Sequence, residues 1–270
     1  MTRLQRGVAA SMVVTALAPA ALLAQQERAT PDLTGLWGLN GLPSGFQALV
    51  DDRGNVSVPI DKLSRERSLT NFERDSGIAQ RAHRNRPLYK PEYWTKVQYL
   101  DLHGNQEDPT FRCMPAGVPR LGPPVKIVQT PGEILFFYNR YETGNVYRVI
   151  YTDGRPHPPE DQWLSTWNGH SIGRWEGDTL VIDTVDFTDE SWIDWAGYFH
   201  TTDMRVVERM RREGDLLHYQ ATVYDPGVLL QPWVRDPVVI RRNPDPRAEI
   251  EEELPCSERD RDRLVTRERG

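Results

Sequence analysis

The chain has 270 residues, with 33 Lys and Arg against 39 Asp and Glu, 6 His, and 38% hydrophobic residues, the composition of one ordinary globular domain. A formal charge of −6 argues against a nucleic-acid or anionic-membrane partner, because phosphate recognition needs concentrated positive surface. The 21 Pro, 20 Gly and 8 Trp break the chain into many short segments and speak against long helical bundles.

Arg3 and Arg6 precede an almost uncharged run over 7–24 that ends in small residues before Gln25. This is the layout of a secretory signal peptide, with cleavage expected after Ala24. The alternative, an uncleaved anchor, sits at the short end for a span of about 20 residues. Cleavage leaves about 246 residues and an acidic excess of about eight charges. No later stretch has the length of a membrane span, so the expected place is periplasmic or secreted. Export gives meaning to Cys113 and Cys256, the two cysteines. Paired, they would close a loop of about 143 residues, worth up to about 4–5 kcal/mol in the chain-entropy model. Two separate thiols remain the alternative, since connectivity is not readable from sequence.

Residues 25–124 are read as an N-terminal strand near Gly35-Leu36-Trp37 and a helical or loop segment of the same domain. The stretch 61–86 is surface helix or loop, 91–102 a helix with Gly104 as its stop, and 107–124 an extended connection pinned by prolines. The core follows over 125–247, where β-branched and aromatic runs alternate with glycine turns. Strands are expected over 125–129, 133–141, 146–151, 170–175, 179–187, 204–212, 216–224 and 234–241. The turns between them include Thr143-Gly144-Asn145, Glu176-Gly177-Asp178 and Glu213-Gly214-Asp215. A charged tail over 248–270 would be tied down at Cys256.

A two-residue Gly214-Asp215 loop of type I′ or II′ places Glu213 opposite Leu216. Parity then collects Met204, Val206, Glu208, Met210, Leu217, Tyr219, Ala221 and Val223 on one face. Arg205, Val207, Arg209, Arg211, His218, Gln220 and Thr222 fall on the other. The fold class is mainly β, an antiparallel meander forming a barrel or sandwich that removes exposed edges.

The loop from Tyr151 to His170 mixes titratable and indole groups between two strands: Asp153, Arg155, His157, Glu160, Asp161, Trp163, Trp167, Asn168 and His170. Loops at a barrel mouth admit ligands, and His157 or His170 would serve as a general base oriented by Asp153 or Glu208. Arg155, Trp163, Trp167, Asn168 and Tyr151 are candidate substrate contacts. A second cluster holds Asp186, Asp189, Glu190, Trp192, Asp194, Trp195, His200 and Asp203. No H-x-H or H-E-x-x-H spacing supports a metal. Glu208, alone on an apolar face, is a candidate acid or base with an elevated pKa, unless it pairs with an interior Arg148 or Arg174. Gly169-His170-Ser171-Ile172-Gly173 matches G-x-S-x-G, but a hairpin follows where a nucleophile elbow needs a helix. Ser171 with His200 is therefore a minor alternative.

Cys113-Met-Pro-Ala-Gly-Val-Pro-Arg120, Tyr151-Thr-Asp-Gly-Arg-Pro-His-Pro158 and Trp167-Asn-Gly-His-Ser-Ile-Gly-Arg-Trp-Glu-Gly-Asp-Thr-Leu-Val-Ile-Asp-Thr184 resemble the signatures of a large family of exported, mostly uncharacterised bacterial proteins. The resemblance covers roughly 31–256 and implies that Asp153, Arg155, His157, Asn168 and His170 belong to family motifs. Gly35-Leu36-Trp37 is similar to the lipocalin Gly-x-Trp, which implies a calycin-like barrel.

The function expected from these residues is cofactor-independent acid–base chemistry of hydratase, lyase or isomerase type on a small aromatic, terpenoid or sugar-like molecule. No GxGxxG or Walker A motif calls for a nucleotide cofactor. The competing expectations are a lipocalin-like binding protein without catalysis and an interaction module of the envelope.

Overall fold

The computed structural model describes residues 30–38, 49–50, 56–57, 85–140 and 144–250. The expected signal peptide, the stretch 61–84, Cys256 and the tail over 251–270 lie outside the described residues, and with them the Cys113–Cys256 pairing.

The fold is one curled, mainly antiparallel ten-stranded sheet forming a half-barrel. Its strands are β1 (Gly35–Leu36), β4 (Lys126–Thr130), β5 (Glu133–Arg140), β6 (Gly144–Tyr151), β7 (His170–Glu176), β8 (Thr179–Val185), β9 (Arg205–Glu213), β10 (Leu216–Tyr224), β11 (Trp233–Val234) and β12 (Val238–Arg241). The order is β1-β4-β5-β6-β7-β8-β9-β10, with β11 and β12 both on the far side of β10. Two short strands, β2 (Leu49–Val50) and β3 (Val56–Ser57), form a separate pair. The first strand also meets the last. Gly38 N donates to Arg241 O at 2.7 Å and Asn243 N to Leu36 O at 2.8 Å, so the edge of β1 is covered rather than open.

The β9–β10 register is the one parity requires: Glu213 lies opposite Leu216 and Glu208 opposite Ala221. Gly214 supplies the left-handed φ of 58° that this tight turn demands. Met204, Val206, Met210, Leu217, Tyr219, Ala221 and Val223 are all buried in one core with Phe136, Ile150, Leu180 and Ile182. Outside the sheet, Pro91–Tyr93 forms a 3-10 turn leading into helix α1 (Trp94–Leu102).

Several expectations need correction. The sheet is not wholly antiparallel, because β6 and β7 run parallel, pairing Ile150 with Ser171 and Tyr151 with Ile172. A parallel pair cannot be joined by a tight turn, and residues 152–169 carry the chain back. The mainly β class itself is as expected, the antiparallel-rich sheet curling into a half-barrel. Gly104 does not stop the helix; after a break at His103 it opens a further turn, α2 (Gly104–Glu107). Gly144 and Asn145 already belong to β6, paired to Arg140 and Asn139. The expected last strand is two strands, β11 and β12, with Arg235–Pro237 between them. Residues 107–124 include a 3-10 turn, Pro109–Arg112, and a buried Arg120 that donates to both oxygens of Asp108 at 2.9 and 2.7 Å.

The inner face carries one polar belt. Each strand from β5 to β10 contributes a side chain: Tyr138, Arg148, Ser171, Thr184, Glu208 and Tyr219. Arg148 Nη2 donates to Glu208 Oε2 at 2.7 Å and to Ser171 Oγ at 2.9 Å, while Nη1 donates to Glu208 Oε1 at 3.1 Å. Tyr219 Oη donates to the same carboxylate at 2.9 Å. Glu208 is 0% and Arg148 3% exposed. Burial opposes the guanidinium charge, but the adjacent Glu208 carboxylate and the hydrogen bonds outweigh it and hold the Arg148 pKa above its ordinary value. Deleting one partner strands a buried charge, so Glu208→Ala and Arg148→Ala should each cost about 3–5 kcal/mol. The paired apolar replacement Arg148→Met with Glu208→Leu should unfold in urea closer to the wild type than either single change.

Candidate functional site

The parallel joint between β6 and β7 creates the site. Pro156, Pro158 and Pro159 cannot donate to a ladder, so the returning chain does not add a strand beside β6. It instead docks against the exit of β8. Thr166 N donates to Asp186 O at 3.1 Å and Thr188 N to Thr166 O at 3.0 Å. Gly169, at φ 66°, passes so close to Val185 that an added Cβ would lie 2.6 Å from its carbonyl oxygen. Since the β6–β7 ladder pairs only Ile150 and Tyr151 of β6, the two strands diverge from there, leaving a cleft of about 280 Å³. Tyr147, Val149 and Tyr151 of β6 line one wall. Leu164, Thr166, Asn168, His170 and Asp186 line the other, with Arg148 and Ser171 between them. Tyr147 is 65% and Leu164 83% exposed, an unusual presentation of large apolar side chains at a concave rim.

The two imidazoles expected to matter meet here. His157 Nδ1 and His170 Nδ1 are 2.9 Å apart, and their rings are perpendicular within 71° at 5.1 Å. His170 stacks on Tyr151 at 5.5 Å. The Arg155 guanidinium lies 4.0 Å from the Tyr151 ring centroid and is held from behind by Asp153, whose Oδ2 accepts from Arg155 Nε at 2.9 Å. Arg155 and His170 thus both pack on Tyr151, and His157 meets His170 edge-on. Asp186 sits at the end of β8 with a left-handed φ of 67°. Its carboxylate accepts from Leu164 N at 3.1 Å and Ser165 N at 2.6 Å, which fixes the cleft's outer lip.

Glu208 does not join this group. Side chains alternate across a strand, so Ser171, inside with Arg148 and Glu208, puts its neighbour His170 on the outer face. The carboxylate is not alone on its apolar face either, since Arg148 neutralises it; Arg174 instead bonds Glu176 at 2.9 Å. Ser171 lies within a strand and is hydrogen-bonded to Arg148 and Thr184, with a hairpin rather than a helix after it and no imidazole bonded to it among the described residues. His200 is elsewhere in the core. Its Nδ1–H donates to Thr201 O at 2.9 Å, so Nε2 accepts from Ser191 Oγ at 2.7 Å. Both side chains are buried, and the bond ties two loop segments together. Trp163 and Trp167 do not line the cleft; the Trp163 indole donates to Pro158 O at 3.0 Å and braces the crossover. Asp153 and Arg155 do not line the cleft either; they pair with one another beside the Tyr151 ring. Tyr147, Val149, Leu164 and Thr166 were wall residues that sequence reasoning missed, and Asp186 was placed in a different cluster. A tyrosine facing outward on a strand whose neighbour is a long crossover was the available signal.

Among the described residues no group of three or more His, Cys, Asp or Glu has metal-site geometry. Comparison with family models, curated proteins and solved structures finds no match for this chain.

Burial lowers the pKa of His157 against the opposing field of Asp183, of His170 against that of Asp186, and of His200 against its bond to Thr201 O. With the folded values below the ordinary 6.5, the unfolded chain binds these protons first. The stability that neutral rings contribute is present above 6.5 and is lost as pH falls through the folded values. Circular-dichroism melts should show Tm falling from neutral pH into the mildly acidic range, with a shallower fall in His200→Asn.

Proposed function

We propose that the protein binds a small aromatic, terpenoid or sugar-like molecule in the cleft between β6 and the crossover, and performs cofactor-independent acid–base chemistry on it with His170. The observation that supports this reading is His170 itself. It is a half-buried imidazole on the wall of a cleft sized for a small molecule, braced by His157 on one side and Tyr151 on the other. An imidazole is the side chain suited to exchanging protons near neutral pH, and a supported ring keeps its geometry through a reaction. The Asp186 carboxylate beside it adds a fixed negative field. Hydration, elimination or isomerisation are the reaction types such a pair serves without a redox group. With residues 1–24 read as a signal, the setting is periplasmic or secreted.

A binding protein without catalysis is the second reading, favoured by Glu208 being sealed away from the cleft with Arg148. Proton abstraction separates the two. Incubation in D2O with small cyclic and aromatic ketones bearing α C–H bonds, followed by NMR, should show protein-dependent deuterium incorporation into at least one compound. His170→Gln should slow that exchange about 100-fold or more. Ligands that bind without exchange would establish the carrier, and a panel that neither binds nor exchanges would remove the cleft from consideration.

A further inference from the structure

His170 has one ring nitrogen committed, because its Nδ1 faces His157 Nδ1 at 2.9 Å. Between two neutral rings one Nδ1 must carry the hydrogen and the other a lone pair. If His170 donates, His157 must carry its own hydrogen on Nε2, which is buried and has no hydrogen-bond partner. If His157 donates, its Nε2 is only an unused lone pair and the His170 hydrogen moves to Nε2. A buried N–H without an acceptor is the costlier arrangement. The carboxylates whose fields reach His157, Asp183 and Asp186, offer no escape, since neither lies within hydrogen-bond reach of its Nε2. The lower-energy state therefore has His157 Nδ1–H donating and His170 presenting an Nε2–H donor on the cleft wall.

We infer that His157 is a positioning residue that fixes His170 as an Nε2–H donor, so that the cleft selects a neutral, flat molecule presenting a carbonyl oxygen. This rests on the reading of the cleft as the binding site, and makes His170 the acid that polarises the carbonyl oxygen there rather than the base that takes the α-proton. Neutrality follows from the walls. Among the described residues, Arg148 of the lining is bound to Glu208, Arg155 on the Tyr151 ring is paired with Asp153, and Asp186 leaves the remaining formal charge of the wall negative. A carboxylate or phosphate would find no free counter-charge there. Flatness follows from the rim, where the exposed Tyr147 ring and Leu164 side chain offer apolar surface on opposite walls.

The test uses the folded chain and two probes of the same shape, acetophenone and α-methylstyrene, in which a methylene replaces the carbonyl oxygen. Long-range ¹H–¹⁵N NMR of the wild type should show His170 in the Nε2–H tautomer and His157 in the Nδ1–H tautomer. Acetophenone should perturb the His170 resonances and bind about tenfold more tightly than α-methylstyrene, the worth of one hydrogen bond. In His157→Phe the His170 tautomers should mix and the preference should shrink below about threefold. An Nδ1–H tautomer at His170 in the wild type overturns the inference whatever the variant does. So does equal binding of the two probes, or binding of neither. Deuterium exchange accompanied by the wrong tautomer would leave the acid–base reading standing and remove this one. The right tautomer and carbonyl preference without exchange would do the reverse.

Discussion

A guanidinium and a carboxylate sealed together on the inner face constrain everything else in the molecule. Neither Arg148 nor Glu208 tolerates burial alone, because an uncompensated charge in a low-dielectric interior costs several kcal/mol. They come from β6 and β9, with β7 and β8 between them in the sheet, and reach one another across Ser171 and Thr184. A slip of one residue in any of these strands would turn a belt member to the outer face. The pair thus fixes the register across the middle of the half-barrel, and with it the side on which every neighbouring residue appears. His170 faces outward because Ser171 faces inward.

The core was legible because it obeys alternation. The lone glutamate among Met204, Val206, Met210, Tyr219 and Ala221 was visible from parity alone, and its partner was narrowed to Arg148 or Arg174. The choice between those two depended on strand neighbours distant along the chain, which spacing does not report. The same limit hid the parallel joint. Strands 146–151 and 170–175 read correctly as strands, but nothing in 152–169 announces whether the chain turns back beside β6 or is carried over to run in the same direction.

The candidate site was half legible for a related reason. His157 and His170 stood out as titratable groups within one loop, and their meeting needs only that loop to close on itself. Asp186 was grouped with His200 and other residues of the following connection, yet it turns away from them. Its left-handed backbone, which Asp tolerates better than most residues, ends β8 and points the carboxylate at the amides of Leu164 and Ser165. His200 found Ser191 through loop geometry that no periodicity encodes. Trp163 illustrates the converse case, because an indole with a polar neighbour suggests a ligand contact and here braces the loop.

The parallel joint also divides the chain in time. The β4–β5, β5–β6, β7–β8 and β9–β10 pairs each join strands linked by only a few residues, whereas the short β6–β7 contact closes the long crossover and must meet a larger loop entropy before it gains anything. The units β4–β5–β6, β7–β8 and β9–β10 can form early, the crossover and the comparably long β8–β9 connection over 186–204 close later, and the buried charge pair bridges the outer two units. Until they dock, Arg148 and Glu208 remain in water, where separation costs little. Docking buries both charges at once and draws β6 alongside the start of β7, so the cleft comes into existence in the step that commits these units to one another.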